Sequence, residues 1–236
     1  RLVVSAAAYG GESFQDSMAL LLKNACRRIL AFPLFPHYAR ATRGSVRAGL
    51  DDAMRCLNAG GVEINEVRPF YAHPAYSNAM CQVAAPLLEQ FNPDHVVFSY
   101  HGLPLRQAYA PPEDGGDLNY EQQCSRGTAV LARALHLDRE RYSQAYQSRF
   151  GRGWLTPSTE SVLTALAREG KRRVALIAPS FVTDCLETLE ELDTEARKTF
   201  LNAGGVAFLR VPALNDHPAW VEAAADLIRE TLHALG

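Results

Sequence analysis

One histidine, His101, stands where an apolar run of the sequence ends. Residues 96–98 are Val, Val and Phe, and the histidine is followed by Gly102 and Pro104. Glycine permits a sharp exit from a strand, and proline cannot continue one. The sequence therefore predicts an imidazole at the mouth of a cleft, where it could bind a metal ion or transfer a proton near neutral pH. A histidine held by a backbone carbonyl is an equally good interpretation of this position alone.

Three carboxylates follow another apolar run, residues 174–178. The spacing of Asp184, Glu187 and Glu191 places them on one face of a predicted α-helix. Because this helix begins after a strand, its first turn is predicted to face the same cleft as His101. A histidine nitrogen opposite a line of carboxylates suits a divalent cation or a proton relay. A solvated helix face is the alternative, and for most helices it is the better one. The apolar packing of the helix is expected from Leu186, Leu189 and Leu192.

Two further segments with polar and aromatic side chains follow predicted strands. In residues 147–154, Gln147 and Trp154 offer a polar donor beside a large ring. In residues 33–45, an anion could bind near the start of the next helix, where backbone N–H groups are free. The side chains that would assist are Tyr38, Arg40, Thr42, Arg43 and Ser45. A plain surface loop is an equally good interpretation of either segment.

An internal repeat indicates which helices and strands position these side chains. Residues 57–76 align without a gap with residues 201–220, and both copies contain the strings LNAGGV and HPA. In each copy a helix closes on a glycine pair, a strand follows, and a proline begins the next helix, as capping preferences favour. His73 and His217 recur just before these prolines, which favours a structural role at helix entry over a role in ligand binding.

Apolar strands alternate with amphipathic helices along the whole chain, a pattern typical of parallel sheets covered by helices. Strands are predicted at 2–7, 28–34, 64–70, 95–101, 143–148, 173–179 and 207–212. Helices are predicted at 14–25, 47–59, 76–91, 122–135, 160–169, 184–203 and 218–235. With the repeat, this predicts an α/β fold of two similar halves with a cleft between them. The first half comprises 1–84 and a C-terminal helix at about 213–236, and the second comprises 85–212.

The composition excludes several classes of protein. The 236 residues are 47% hydrophobic and 21% charged with a net charge of −2, so a globular protein that does not bind nucleic acid is expected. The apolar runs are too short to cross a bilayer, and no signal peptide is recognised. The five cysteines are odd in number and form no C-x-x-C pair. They favour a reduced, cytoplasmic protein without a zinc or iron–sulfur site.

Taken together, these segments resemble those of ferrochelatases, enzymes that insert ferrous iron into a porphyrin. The resembling segments occur in the family's order and cover nearly the whole chain; they read FPLFPHYARATRGS, FSYHGLP, QSRFGRGWL, FVTDCLETLEEL and NDHPAW. Any one of them is a weak signal, whereas the set is specific. The resemblance implies two Rossmann-like, chelatase-type halves without a dinucleotide.

The same resemblance implies an activity and a set of site residues. The activity is that of a lyase of heme biosynthesis, which inserts Fe²⁺ into protoporphyrin IX to give protoheme. His101 and Glu187 would contact the metal and catalyse, and Asp184 and Glu191 would form a path for metal or protons. The porphyrin would be bound by Tyr9, Tyr38, Gln147 and Trp154.

The chain departs from the family pattern at its N-terminus. It resembles a family member that lacks roughly the first quarter of the sequence, so the first half is expected to be incomplete. Ala8 stands before Tyr9, where the family commonly has a basic residue, which weakens any role of this position in carboxylate recognition.

Alternatives for the function remain open in the sequence. Coproporphyrin III or another tetrapyrrole is the alternative substrate, and a two-lobed module that binds tetrapyrrole or metal without catalysis is the alternative of another class. Fe²⁺ is expected as a substrate, without a tightly bound cofactor or an iron–sulfur cluster. The protein is expected in the cytoplasm as a monomer or weak dimer, and peripheral contact with the inner membrane is left open.

Overall fold

The structure, a computed structural model, describes residues 2–7, 11–149 and 151–236. The strands are Arg28–Ala31 (β1), Glu63–Glu66 (β2), His95–His101 (β3), Tyr142–Gln147 (β4), Arg173–Ile177 (β5) and Ala207–Arg210 (β6). The α-helices are Phe14–Lys23 (α1), Ser45–Cys56 (α2), Pro74–Phe91 (α3), Leu105–Ala108 (α4), Tyr120–Ala134 (α5), Thr159–Arg168 (α6), Arg197–Asn202 (α7) and Pro218–Ala234 (α8). Two π-helices, Arg40–Gly44 and Glu187–Ala196, and one 3₁₀-helix, Arg139–Arg141, complete the elements.

The strands form two parallel sheets, which confirms the predicted α/β class. One sheet pairs β1 with β2, and the other has the order β4-β3-β5-β6. The central strand β3 is buried from His95 to Tyr100, and only its last residue, His101, is partly exposed. Buried strands of this kind need helices on both faces, and the apolar side chains pack into clusters on either side of the larger sheet.

The predicted strand at residues 2–7 is wrong. These residues pair with neither sheet, and Val3 is 89% exposed. A strand needs a partner for its backbone groups, and this segment instead binds α1 and its approach. The Ser5 carbonyl accepts a hydrogen bond from the Ser17 hydroxyl, and the Ala7 N–H donates to the Glu12 carbonyl at 2.9 Å.

The internal repeat is visible in the structure as two equivalent helix entries. His73 caps α3 by accepting from the Ala75 N–H at 3.3 Å, and His217 caps α8 by accepting from the Ala219 N–H at 3.2 Å. The structural role predicted for both histidines is confirmed. The helices α3 and α8 pack against each other. The assignment of the C-terminal helix to the first half stays a prediction. The residue boundaries of the two halves stay a prediction.

A buried histidine, His37, lies in a cluster of aromatic rings. Its ring stacks on Tyr71 at a centroid distance of 5.3 Å, and the edges of Tyr100 and Tyr120 contact it at 5.3 and 5.9 Å. Neither ring nitrogen has a hydrogen-bond partner among the described residues. Burial in this apolar setting lowers the pKa of His37 to about 3, so the imidazole is neutral at physiological pH.

A buried arginine, Arg43, ties together the loops that follow β1 and β2. Its guanidinium donates to the carbonyls of Phe35, at 3.1 Å, and of Val67. Burial lowers its pKa to about 10, which leaves it charged at neutral pH. The sequence had suggested Arg43 as an aid to anion binding, whereas the structure engages it with backbone carbonyls.

Replacing Arg43 by alanine is expected to lower the free energy of unfolding by about 3 kcal/mol, because buried carbonyls would lose their donors at about 1–3 kcal/mol each. Urea denaturation measures the change. The exposed Arg168, in the last turn of α6, provides a matched control whose alanine variant should stay within about 0.5 kcal/mol of the parent protein. Equal stabilities of the two variants would contradict the anchoring role.

Candidate functional site

A pocket of about 700 Å³ lies at the carboxyl ends of β3, β4 and β5. His101, Glu187 and Glu191 line it together, as the sequence predicted for the cleft. The remaining lining residues are Ser148, Arg149, Gly151, Arg152, Ser158 and Glu160. Ligands in parallel α/β sheets bind at this edge, because the loops that leave neighbouring strands converge there.

His101 is fixed at this edge by its neighbours. Its Nδ1 lies 2.8 Å from the carbonyl oxygen of Gly102, so Nδ1–H donates and Nε2 is the nitrogen left to accept a proton or bind a cation. The Tyr120 hydroxyl donates to the His101 carbonyl at 2.8 Å, and the His101 N–H donates to the Ser180 hydroxyl at 3.4 Å. Both interpretations of the histidine therefore hold at once. One ring nitrogen donates to a backbone carbonyl, and the other can accept a proton or bind a cation.

Gly102 is needed for space at the point where β3 leaves the sheet. A Cβ atom at this position would lie 2.6 Å from the carbonyl oxygen of Gln147, which accepts the Gly102 N–H at 2.8 Å. Any larger residue would push β3 away from β4 and displace the neighbouring His101.

The helix that carries the two glutamates is a π-helix over Glu187–Ala196, followed by the short helix α7. The predicted continuous α-helix at 184–203 is therefore wrong. In a π-helix the backbone bonds reach five residues along the chain instead of four, so side chains four apart lie on nearly the same side. Glu187 and Glu191 have this spacing, and both face the pocket.

The packing predicted for the leucines of this helix is correct only in part. Leu192 is fully buried, whereas Leu186 and Leu189 are 76% and 50% exposed. Leu186 precedes the π-helix, and within the π-helix the widened turn changes which side chains face the core, which a 3.6-residue period does not anticipate.

Glu191 is held by the end of β4. Its carboxylate accepts hydrogen bonds from both the backbone N–H and the hydroxyl of Ser148. Ser148 has φ of +55°, a left-handed conformation that is uncommon outside glycine. This turn directs two donors at one carboxylate and so fixes the side chain of Glu191.

Glu187 is held in its ionised form. A hydrogen bond from the Cys185 thiol, the backbone N–H of Glu187 itself and the charge of His101 lower its pKa below the ordinary glutamate value, against the opposing effect of burial. An anionic oxygen and an imidazole nitrogen thus share one pocket, and this pair can bind a divalent cation.

The pair offers few ligands for a metal ion. Among the described residues, no group of three or more His, Cys, Asp and Glu side chains could hold a metal ion. Resident zinc sites in proteins use three or four ligands. A pair leaves most coordination positions to water or to another molecule, which suits an ion that passes through.

Asp184 lies apart from this pocket in a network of its own. Its carboxylate accepts from Arg210 at 2.7 Å, from Asn215 at 2.9 Å and from Thr188 at 2.9 Å. Burial favours the neutral acid, but the hydrogen bonds from Asn215 and Thr188 and the charge of Arg210 lower the pKa of Asp184 below its ordinary value. This arrangement anchors the start of the helix, and the predicted role of Asp184 in a path stays a prediction.

The Asp184→Asn variant distinguishes an anchor from a path. An anchor predicts a loss of about 2–3 kcal/mol in the free energy of unfolding, because Arg210, whose side chain is only 9% exposed, would lose the nearer of its two counter-ions and keep only Asp193 at 3.4 Å. Metal-dependent activity would survive at low temperature. The exposed Asp52→Asn change, which removes a surface ion pair with Arg55, should cost less than about 0.5 kcal/mol. A stable Asp184→Asn protein without activity would favour the path instead.

The residues predicted to bind a porphyrin are divided between different places. Trp154 forms a backbone bridge to Pro104, beside the exit of β3. Gln147 is fully buried and accepts from the Ser99 hydroxyl at 2.8 Å, so it supports the sheet behind the pocket. Tyr38 lines a different, smaller pocket, and Tyr9 lies outside the described residues.

Several residues of the site were missed by the sequence analysis. Tyr120 opens α5 and reaches the His101 carbonyl across the fold, and Ser180 and Glu160 come from two other elements. No local pattern marks these residues, because each is one polar side chain at a helix start or loop. Their role depends on the tertiary arrangement.

No helix within the described ranges is both long and apolar enough to cross a membrane.

Comparisons with known proteins agree on one family. The sequence model of the ferrochelatase family matches residues 2–232. Ferrochelatase from Azotobacter vinelandii is 38% identical over 94% of this chain and 70% of its own length. Ferrochelatase from Aromatoleum aromaticum is 40% identical over 95% of this chain and 60% of its own length. The chain thus spans between 60% and 70% of the length of these curated relatives.

A solved structure supports the fold independently. SirB from Bacillus subtilis with Fe³⁺ superposes with a TM-score of 0.65 over 94% of this chain and 78% of its own, at 14% sequence identity. A likeness at this identity establishes the chelatase-type fold alone. The family match over nearly the entire sequence goes further, and together these observations show that the chain belongs to the ferrochelatase family.

Proposed function

We propose that the protein inserts Fe²⁺ into protoporphyrin IX to give protoheme. The observation that carries this proposal is the meeting of His101, Glu187 and Glu191 on one pocket at the carboxyl edge of the larger sheet. The names of the curated relatives support the same activity.

The residues of the pocket match the needs of the reaction. Two protons must leave the pyrrole nitrogens, and Fe²⁺ must exchange water for these nitrogens. The free Nε2 of His101 accepts a proton, and ionised Glu187 holds the cation close by. Glu191, fixed by Ser148, provides the next carboxylate for ions or protons that move between solvent and this pair.

The macrocycle needs an apolar wall beside this pair. Trp154 is suited to it, because its backbone bridge to Pro104 holds the ring near the exit of His101. Tyr38, Gln147 and Tyr9 are kept as proposed porphyrin-binding residues, with Gln147 acting from behind through the sheet.

The proposal extends to the setting of the protein. It treats Fe²⁺ as a substrate and assigns the protein no tightly bound cofactor and no iron–sulfur cluster. It describes a cytoplasmic monomer or weak dimer with peripheral contact to the inner membrane. The exposed leucines Leu186 and Leu189 support an apolar contact at the surface.

The function is tested by mixing the complete protein with protoporphyrin IX and Fe²⁺ without oxygen, or with Zn²⁺ in air. The proposal expects the absorbance bands of the metalloporphyrin to grow in proportion to enzyme concentration, and coproporphyrin III in a parallel assay ranks the two substrates. Binding of porphyrin with no metalloporphyrin spectrum would contradict the proposal and favour a tetrapyrrole-binding module.

A further inference from the structure

A second pocket, of about 410 Å³, adjoins the segment that leaves β3. Arg106 lines it from α4, and Tyr38 and Arg40 line it from the loop and π-helix after β1. Tyr120 forms part of its wall and donates its hydroxyl to the His101 carbonyl. The pocket therefore lies next to the residue proposed to contact the metal.

The two arginines of this pocket have no counter-ion among the described residues. Neither guanidinium forms an ion pair or a hydrogen bond within residues 2–7, 11–149 and 151–236. Other arginines of the fold are engaged, as the contacts of Arg43 with backbone carbonyls and of Arg210 with Asp184 illustrate. These two cations share the pocket with one carboxylate, that of Glu113, and can attract an anion.

Neutral polar groups complete the pocket. The Oε1 atom of Gln107 is buried and has no hydrogen-bond partner in the described part of the chain. The oxygen and nitrogen of such an amide can exchange places, so Gln107 can donate to a bound group. Burial, followed by the charge of Glu113, raises the pKa of Tyr38, so its phenol stays protonated as a further donor.

We propose that this pocket binds a carboxylate of the tetrapyrrole substrate, with Arg40 and Arg106 as its main partners. The inference rests on the proposed function, because it assigns a subsite for the same substrate. The planar guanidinium matches a carboxylate in two parallel hydrogen bonds, and the acid side chains of a porphyrin project from the edge of its apolar ring. A cationic pocket beside the metal-contacting residue suits such an edge.

One acidic residue, Glu113, lines the same pocket and sharpens the prediction. The negative charge of Glu113 would repel the carboxylate of a bound porphyrin. Removal of this charge should therefore strengthen porphyrin binding, whereas removal of the arginines should weaken it. Changes of opposite sign separate recognition of charge from a general effect on the shape of the pocket.

The test is a fluorescence titration of the complete protein with metal-free protoporphyrin IX and with its dimethyl ester, which has the same ring but no free acid. The Arg40→Gln, Arg106→Gln double variant should bind the acid about 10–100-fold more weakly, the loss expected for charged hydrogen bonds, and the ester with unchanged affinity. Glu113→Gln should bind the acid severalfold more tightly. The Arg133→Gln, Arg168→Gln double variant, in the last turns of α5 and α6, makes the same change of charge and should alter neither affinity.

Each outcome decides the inference. Equal losses for acid and ester, or unchanged affinity for the acid in the double variant, would overturn it while leaving the proposed function intact. Failure of the parent protein to bind either porphyrin would overturn the proposed function and the subsite together.

Discussion

Replacing His101 by alanine or Glu187 by glutamine is expected to lower the rate of metalloporphyrin formation by about 10²–10⁴-fold, the range found when a positioned proton-transfer group is removed. His101→Ala removes the Nε2 that accepts a pyrrole proton. Glu187→Gln keeps the shape of the side chain but removes the charge that the pocket stabilises. Both variants should fold, because His101 is only partly buried and Glu187 forms no ion pair within the described residues.

The control for these variants lies in the same pocket. Glu160 also lines it, from the first turn of α6, and the proposed function gives it no part in the reaction. Glu160→Gln should change the rate less than about threefold, and circular dichroism should show that all three variants keep the parent fold. A His101→Ala or Glu187→Gln protein with turnover like the parent would remove the basis for the assigned roles.

Acidification from pH 7 to pH 5 is expected to cost about 2 kcal/mol of stability through His37 alone. Its pKa in the folded protein is about 3, below the ordinary histidine value of about 6.5 in the unfolded chain. The unfolded state therefore binds more protons between these values, and stability falls as the pH falls through that window. The contribution is absent above the unfolded pKa, so the effect is confined to acid conditions.

The His37→Gln variant isolates this contribution, because glutamine is polar and does not titrate. Urea denaturation at pH 7 and pH 5 should show a difference in stability that is about 2 kcal/mol smaller in the variant than in the parent protein. His95, whose pKa burial lowers to about 4, adds an effect of the same sign and is present in both proteins. An identical pH dependence in the two proteins would contradict a neutral, buried His37.

The sequence predicted the position of His101 for a clear physical reason. An apolar run that ends at a glycine and a proline is typical of a buried strand with an abrupt exit, and β3 has this form. The alternation of strands and helices then placed the strand within a parallel sheet, and the helix entries at His73 and His217 followed from the internal repeat.

The remainder of the site depends on features that no local pattern encodes. The π-helix at Glu187–Ala196 has the composition of an ordinary amphipathic helix, and its widened turns become evident only when exposed Leu186 and Leu189 are seen beside buried Leu192. The left-handed backbone conformation of Ser148 is likewise not predicted by any pattern in the sequence. The spacing of Asp184 predicted a third carboxylate in line with Glu187 and Glu191. In the structure Asp184 instead accepts a hydrogen bond from Arg210, 26 residues later in the chain, and does not line the pocket.

We propose that the metal meets the porphyrin between His101 and Glu187, and anomalous X-ray diffraction can locate a metal ion at this position. Crystals of the complete protein soaked in Zn²⁺ at neutral pH should show their strongest peak within about 2.0–2.2 Å of both His101 Nε2 and a Glu187 carboxylate oxygen. A strongest peak on other donors, such as Asp184 or Glu160, with none between His101 and Glu187, would contradict the account.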